Sequence, residues 1–222
     1  MGENKKSSEG KCIIVCAGEF VPLEINRSPE DLVIAADGGY QNCQVIAMEP
    51  DLVIGDFDSV SEKSRNEILH MQETEPERVI SYPSEKDDTD TMAAIRIGLE
   101  RGYRKFYLYG AAGGRMDHMM ANIQCLTYLK NHQAKGYIMC HDMMMTVIQD
   151  EKITFHNTMR GILSLFSLGE KAEGVTIENM KYRLDEATVT YDYPIGISNE
   201  FTEKAAGISV KSGTLLLIVY WK

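Results

Sequence analysis

The chain has 222 residues, 44% hydrophobic and 25% charged, with Lys and Arg totalling 23 against 33 Asp and Glu, for a formal charge of −10. These proportions describe a globular protein and exclude collagen-like, low-complexity and disordered chains; the length fits one large domain or two small ones. The acidic balance, without any Lys/Arg-rich block, disfavours nucleic acid or an anionic membrane as partner but leaves room for a phosphate-bearing small molecule held through a divalent cation.

From the N-terminus, residues 1–11 are polar and lack the apolar stretch of a secretory signal, and Lys6 breaks the myristoylation pattern. Short apolar runs then follow at 12–16 (CIIVC), 32–36 (LVIAA), 52–54, 79–82 and 106–109, each closed by Gly, Asp, Ser or Pro. They read as strands covered on both faces. Helical patterns lie between several of them, at 40–48 before Pro50, at 62–72 behind a capping Ser61, at 91–101 ending on Gly102, and at 117–130. Strands alternating with helices predict β-α-β units and a mainly parallel sheet.

After about residue 133 the helical spacing stops. Runs at 138–149, 152–156, 161–168, 174–177, 188–191, 207–211 and 214–221 read as strands joined by close turns, the pattern of a β-sandwich. The expected fold is therefore an α/β domain over 1–133, with a mainly parallel sheet and flanking helices, followed by an all-β sandwich domain over 134–222, with the boundary near 131–136. The longest apolar run, 215–221, is far short of the roughly 20 residues a spanning helix needs. Cys12, Cys16, Cys43, Cys125 and Cys140 are odd in number and include no Cys-x-x-Cys. Neither a disulfide framework nor a zinc knuckle is indicated, and a reducing cytoplasm suits them.

The acidic residues of the first half recur just past predicted strands. They stand as Asp37-Gly38-Gly39, as Gly55-Asp56-Phe57-Asp58-Ser59, as Lys86-Asp87-Asp88-Thr89-Asp90, and as Gly113-Gly114-Arg115-Met116-Asp117-His118. In an open α/β sheet, ligands bind outside the carboxyl ends of the strands. Hard divalent cations want oxygen ligands, and Asp56 and Asp58, two apart, point the same way in an extended segment. The glycines let backbone N–H groups approach phosphate oxygens, and Arg115 offers a planar fork at a helix start. Taken singly, each cluster also has a plain structural reading: an Asp-Gly turn, Asp88 or Asp90 as a helix cap, Asp117 and His118 as first-turn helix residues. Four clusters after strands favour a cation and phosphate site. No Walker A sequence is present, no Gly-x-Gly-x-x-Gly follows the first strand, and the five histidines form no zinc pair.

These motifs, in this order, resemble the thiamine pyrophosphokinase family, with a further match in Ser198-Asn199 of the segment Gly196-Ile197-Ser198-Asn199-Glu200-Phe201. The family's Gly-Leu-Lys-aromatic stretch stands here as Asn179-Met180-Lys181-Tyr182. The resemblance implies transfer of a pyrophosphoryl group from ATP to thiamine with Mg²⁺, giving thiamine diphosphate and AMP, in a homodimer whose active sites lie between subunits. It implies Asp56, Asp58 and Asp87 as metal ligands with Asp37 near the same ion, and Arg115 on phosphate oxygens beside Gly38, Gly39, Gly113, Gly114 and His118. Asp90 or Asp117 accepts or orients the hydroxyl proton. The same resemblance implies that Ser198 and Asn199 hydrogen-bond thiamine and that Tyr182 or Phe201 stacks on it. Two other readings fit the acidic clusters: a metal-dependent phosphohydrolase and a non-catalytic nucleotide or thiamine sensor.

Overall fold

The computed structural model describes residues 9–83 and 88–221. The chain divides into two compact units between His141 and Asp142.

Unit 1 holds strands β1 (Cys12–Val15), β2 (Leu32–Ala36), β3 (Leu52–Gly55), β4 (Val79–Ser81), β5 (Lys105–Tyr109) and β6 (Lys135–Met139). They pair in the order β6-β5-β1-β2-β3-β4, and every pair is parallel. The central strands are buried along their whole length, which explains their unbroken apolar sequences. Alternate residues serve the two faces. Ile13, Val15, Val33, Ala35 and Val53 share one core cluster with Tyr40 and Cys43 of helix α1 (Gly39–Val45) and Ile68 of α2 (Glu62–Thr74). On the other face, α3 (Asp90–Glu100) packs its Gly98 against Cys12 and Phe106, and α4 (Met116–Asn131) sets Leu126 and Leu129 over Gly136 of β6. Fully burying an Ile such as Ile13, Ile34 or Ile54 is worth about 1.5–3 kcal/mol each. Ser61 caps α2 through Ser64 N–H at 3.3 Å, as its sequence predicts. At α3 the cap is neither Asp88 nor Asp90 but Thr89, whose hydroxyl accepts from Met92 N–H at 3.2 Å.

Unit 2 is a pair of antiparallel sheets. One runs β12 (Asn199–Glu200), β9 (Ile162–Ser167), β14 (Thr214–Tyr220), β7 (Met143–Gln149); the other runs β11 (Leu184–Thr190), β10 (Lys171–Glu178), β13 (Ala206–Ser209), β8 (Lys152–Phe155). Their inner faces share one core that includes Leu163, Leu165, Val175, Ile177, Ile208 and Leu217, so the sandwich expected from the turn spacing is present. The single strand expected at 138–149 is two, β6 and β7, and β6 belongs to the parallel sheet as the partner of β5. Among the described residues no helix is long and apolar enough to cross a membrane.

Candidate active site

In unit 1, β1 has β2 on one side and β5 on the other, so the chain reverses direction across the sheet at β1. The crevice at such a switch point, past the strands' carboxyl ends, is where α/β sheets bind ligands. Asp37 leaves β2 here. Its φ is +48°, a left-handed conformation that Asp tolerates better than most residues. Its N–H donates to Ile54 O at 2.7 Å and its carbonyl accepts from Tyr40 N–H at 3.1 Å, which holds it there. Gly55 ends β3 against it: a Cβ at Gly55 would lie 3.1 Å from Asp37 Cα, and the φ of Gly55 is +150°.

The loop past Gly55 brings Asp56 and Asp58 to Asp37. One carboxylate oxygen from each of the three lies within 4.8 Å of the others. Phe57, between them, has φ +60° and a buried ring in the sheet core. Asp58 N–H donates to Asp56 Oδ1 at 3.2 Å. The adjacent Asp56 charge pushes the Asp58 carboxyl above the usual range, the response of like charges crowded together. Ser59 Oγ donates to Asp37 Oδ2. The other oxygen, Asp37 Oδ1, is buried with no hydrogen-bond partner among the described residues. A buried carboxylate oxygen without a donor is costly unless something positive meets it. An octahedral Mg²⁺ with bonds of about 2.0–2.1 Å spans oxygens roughly 3–4 Å apart, close to this cluster's dimension. The donor set therefore fits a hard divalent cation.

Beyond β5 the chain forms the Gly113-Gly114 loop, with φ +82° and +65°. Asn122 of α4, buried, anchors it by donating to Ala111 O at 2.8 Å. Gly18, after β1, joins the same end of the sheet through its N–H to Gly110 O at 2.8 Å. Arg115 stands at the N-cap of α4 with its guanidinium exposed, donating from Nε at 3.1 Å and Nη2 at 2.5 Å to the Asp117 carboxylate. That pair, with Arg115 the leading cause, holds the Asp117 carboxyl down to about 2. While that pair holds, the Asp117 carboxylate is a poor proton acceptor for an alcohol. His118 is exposed, and its N–H donates to Asp117 Oδ1 at 3.0 Å. Asp90 opens α3, Asp88 pairs with Arg96 at 2.5 Å, and Asp87 lies outside the described residues.

The remaining candidates sit in unit 2. Tyr182 exposes 58% of its surface, with Lys181 Nζ 5.4 Å from its ring centroid. Ser198 is exposed, with φ +54°. Two expectations are revised. Phe201 is a core residue, packed edge-on against Phe155 with centroids 5.5 Å apart, which leaves Tyr182 as the ring available for stacking. Asn199 is 1% exposed, and its amide is engaged by backbone: Oδ1 accepts from Tyr182 N–H at 2.9 Å and Glu200 N–H at 3.0 Å, while Nδ2 donates to Tyr182 O at 2.6 Å. It fixes Tyr182 in place. The departure at Asn179 changes little locally, because Asn179 has φ +57°, a conformation that Gly and Asn share.

A parallel sheet with carboxylates, a glycine loop and a guanidinium past its carboxyl ends fits an enzyme that transfers phosphoryl groups. The thiamin pyrophosphokinase catalytic-domain family model matches residues 26–138, and the thiamin pyrophosphokinase vitamin B1 binding-domain model matches residues 148–215. The chain belongs to the thiamin pyrophosphokinase family. It is 27% identical over 188 residues to a thiamine pyrophosphokinase of Bacillus subtilis, covering 84% of this chain and 86% of the relative. Among solved structures it is similar to a thiamin pyrophosphokinase family protein from Enterococcus faecalis, with TM-score 0.79, 26% identity and coverage of 96% and 99%. The crystal structure of the Bacillus subtilis thiamine pyrophosphokinase shares the fold, with TM-score 0.82, 23% identity and coverage of 96% and 100%.

Proposed function

We propose that Asp37, Asp56 and Asp58 hold the divalent cation with which this chain performs its family's reaction. That reaction is the ATP-dependent transfer of a pyrophosphoryl group to the hydroxyl of thiamine, giving thiamine diphosphate and AMP. The observation carrying the residue-level reading is the convergence of three carboxylates, one with a buried oxygen that has no partner among the described residues, at the ligand-binding edge of the sheet.

Mg²⁺ is the ion these oxygens suit, and when bound it supplies charge neutralisation on the polyphosphate. Asp87 joins the set in this proposal. Arg115 exchanges its Asp117 carboxylate for phosphate oxygens, keeping the same fork geometry, and the Gly113-Gly114 N–H groups approach the same oxygens. Asp90, or Asp117 once Arg115 has turned to phosphate, orients the thiamine hydroxyl or takes its proton. Tyr182 stacks on the cationic ligand, Ser198 hydrogen-bonds it, and Asn199 holds Tyr182 in position. Assembly as a homodimer with shared sites belongs to the same proposal; mixing Asp56→Asn chains with Tyr182→Ala chains tests it, since shared sites regain activity in heterodimers.

Asp56→Asn and Asp58→Asn test the cation reading. Each removes charge with almost no change in volume, so the rate should fall by roughly two orders of magnitude or more while the fold persists. Either variant retaining more than about a tenth of the wild-type rate refutes the assignment.

A further inference from the structure

Arg65 lies in the first turn of α2, with no place in any of the acidic motifs. Its Nη2 donates to two successive carbonyls of the cation loop, Phe57 O at 2.7 Å and Asp58 O at 3.0 Å. These are the carbonyls beside and after Phe57, whose φ of +60° is costly for a bulky side chain. Such a conformation persists only where the surroundings over-determine it. Here the Phe57 ring is buried in the sheet core and the Arg65 guanidinium takes the carbonyls, so the loop is gripped at both its side chain and its backbone. The backbone conformation at Phe57 in turn sets the directions of Asp56 and Asp58.

We propose that Arg65 is the positioning residue of the cation site, holding the loop so that Asp56 and Asp58 face Asp37. The proposal rests on the reading of those carboxylates as cation ligands. Electrostatics alone predicts the opposite sign for its removal: a guanidinium beside a cation site repels the cation, so deleting it should tighten binding. A residue that organises the ligands should weaken binding when deleted, by about 10–100-fold for outer-shell partners. Arg65 is exposed and borders an open cavity of about 210 Å³ with Asp56 and Phe57, so truncating it leaves no void in the core.

The test is Mn²⁺ titration followed by electron paramagnetic resonance on the full chain with α,β-methylene ATP, alongside thermal melting in chelator. Arg65→Ala should bind Mn²⁺ about 10–100-fold more weakly than wild type. Arg65→Lys, which keeps the charge without the planar fork, should fall between the two. Lys63→Ala, an exposed neighbour on the same helix, should match wild type. Arg65→Ala binding as tightly as wild type, or more tightly, overturns the proposal. If Arg65→Ala melts more than roughly 10 °C low, Arg65→Lys decides: a loss beyond about twofold supports positioning, and anything less refutes it. Wild type that binds no Mn²⁺, or Asp56→Asn that binds it normally, would instead remove the cation reading itself.

Discussion

Gly55→Ala perturbs the site without touching a charged group. A Cβ at Gly55 would stand 3.1 Å from Asp37 Cα and 3.2 Å from Asp37 Cβ. Carbon atoms in ordinary contact are about 3.5–4.0 Å apart, so one side must yield by a few tenths of an ångström. The φ of +150° adds a backbone cost of about 1–3 kcal/mol for a residue with a side chain. Together these give about 3 kcal/mol, which for a chain of this size lowers the melting temperature by roughly 6–12 °C. Gly114→Ala separates the two causes: its φ is +65° but, among the described residues, no atom beyond its chain neighbours lies within 4 Å of the added Cβ, so it carries only a backbone cost of about 1–2 kcal/mol. Because Asp37 moves, Gly55→Ala should also lose roughly tenfold or more in rate at temperatures where it is folded. Melting curves and Mg²⁺-dependent AMP formation measure both effects. Equal melting losses in the two variants, or a wild-type rate in Gly55→Ala, would refute the claim that Gly55 seats Asp37.

Three further predictions concern other parts of the structure. Arg115→Lys keeps charge but loses the fork that Asp117 now occupies, so kcat/KM for ATP should fall roughly tenfold or more; wild-type kinetics at low and saturating ATP would make Arg115 a surface charge. Asn199→Ala leaves the Tyr182 N–H and carbonyl without their partner, at about 1–3 kcal/mol, and should raise KM for thiamine while KM for ATP stays put; parallel changes in both would contradict the role. Burial raises the thiols of Cys12, Cys16, Cys43 and Cys125, Cys16 and Cys43 to about 12 and Cys125 to about 11. Since these folded-state values lie above the unfolded one of about 8.5, the stability they contribute is complete below that pH and is lost as pH rises through the folded values. Melting temperature should therefore drop steadily between about pH 9 and 12, and at pH 8 a thiol reagent should label Cys140 alone until the chain unfolds; a flat alkaline profile or early multiple labelling would refute this.

The parallel half was legible because its strands are buried on both faces. The run LVIAA is β2 residue for residue, and each acidic motif follows its strand. The join between β6 and β7 was not, because the apolar residues on either side are continuous in character and the turn at Cys140, His141 and Asp142 holds neither Gly nor Pro. β11 begins at Leu184, earlier than its pattern indicates, since Asp185 and Glu186 mask an exposed edge strand. The residues alone placed each acidic cluster past a strand, and the family resemblance implied that Asp37 stands near Asp56 and Asp58; their meeting depends on the parallel pairing of β2 with β3. Arg65 and Asn122 were invisible, because each reaches a backbone carbonyl 7 to 11 residues away, at no helix-cap or motif spacing. Asn199 was recognised but misread for the same reason: its partner, Tyr182, lies 17 residues back and meets it only through the fold.

If this chain couples cleavage of ATP to pyrophosphorylation of thiamine at the proposed cation site, AMP forms only when thiamine and the cation are both present. The direct measurement is AMP formation by the purified full chain, with Mg²⁺, in the presence and absence of thiamine. AMP and thiamine diphosphate should form in equal amounts, with no AMP above background without thiamine and none in chelator. Phosphate or ADP released from ATP without thiamine would indicate a phosphohydrolase, and binding of both ligands without AMP would indicate a sensor; either result contradicts pyrophosphoryl transfer to thiamine.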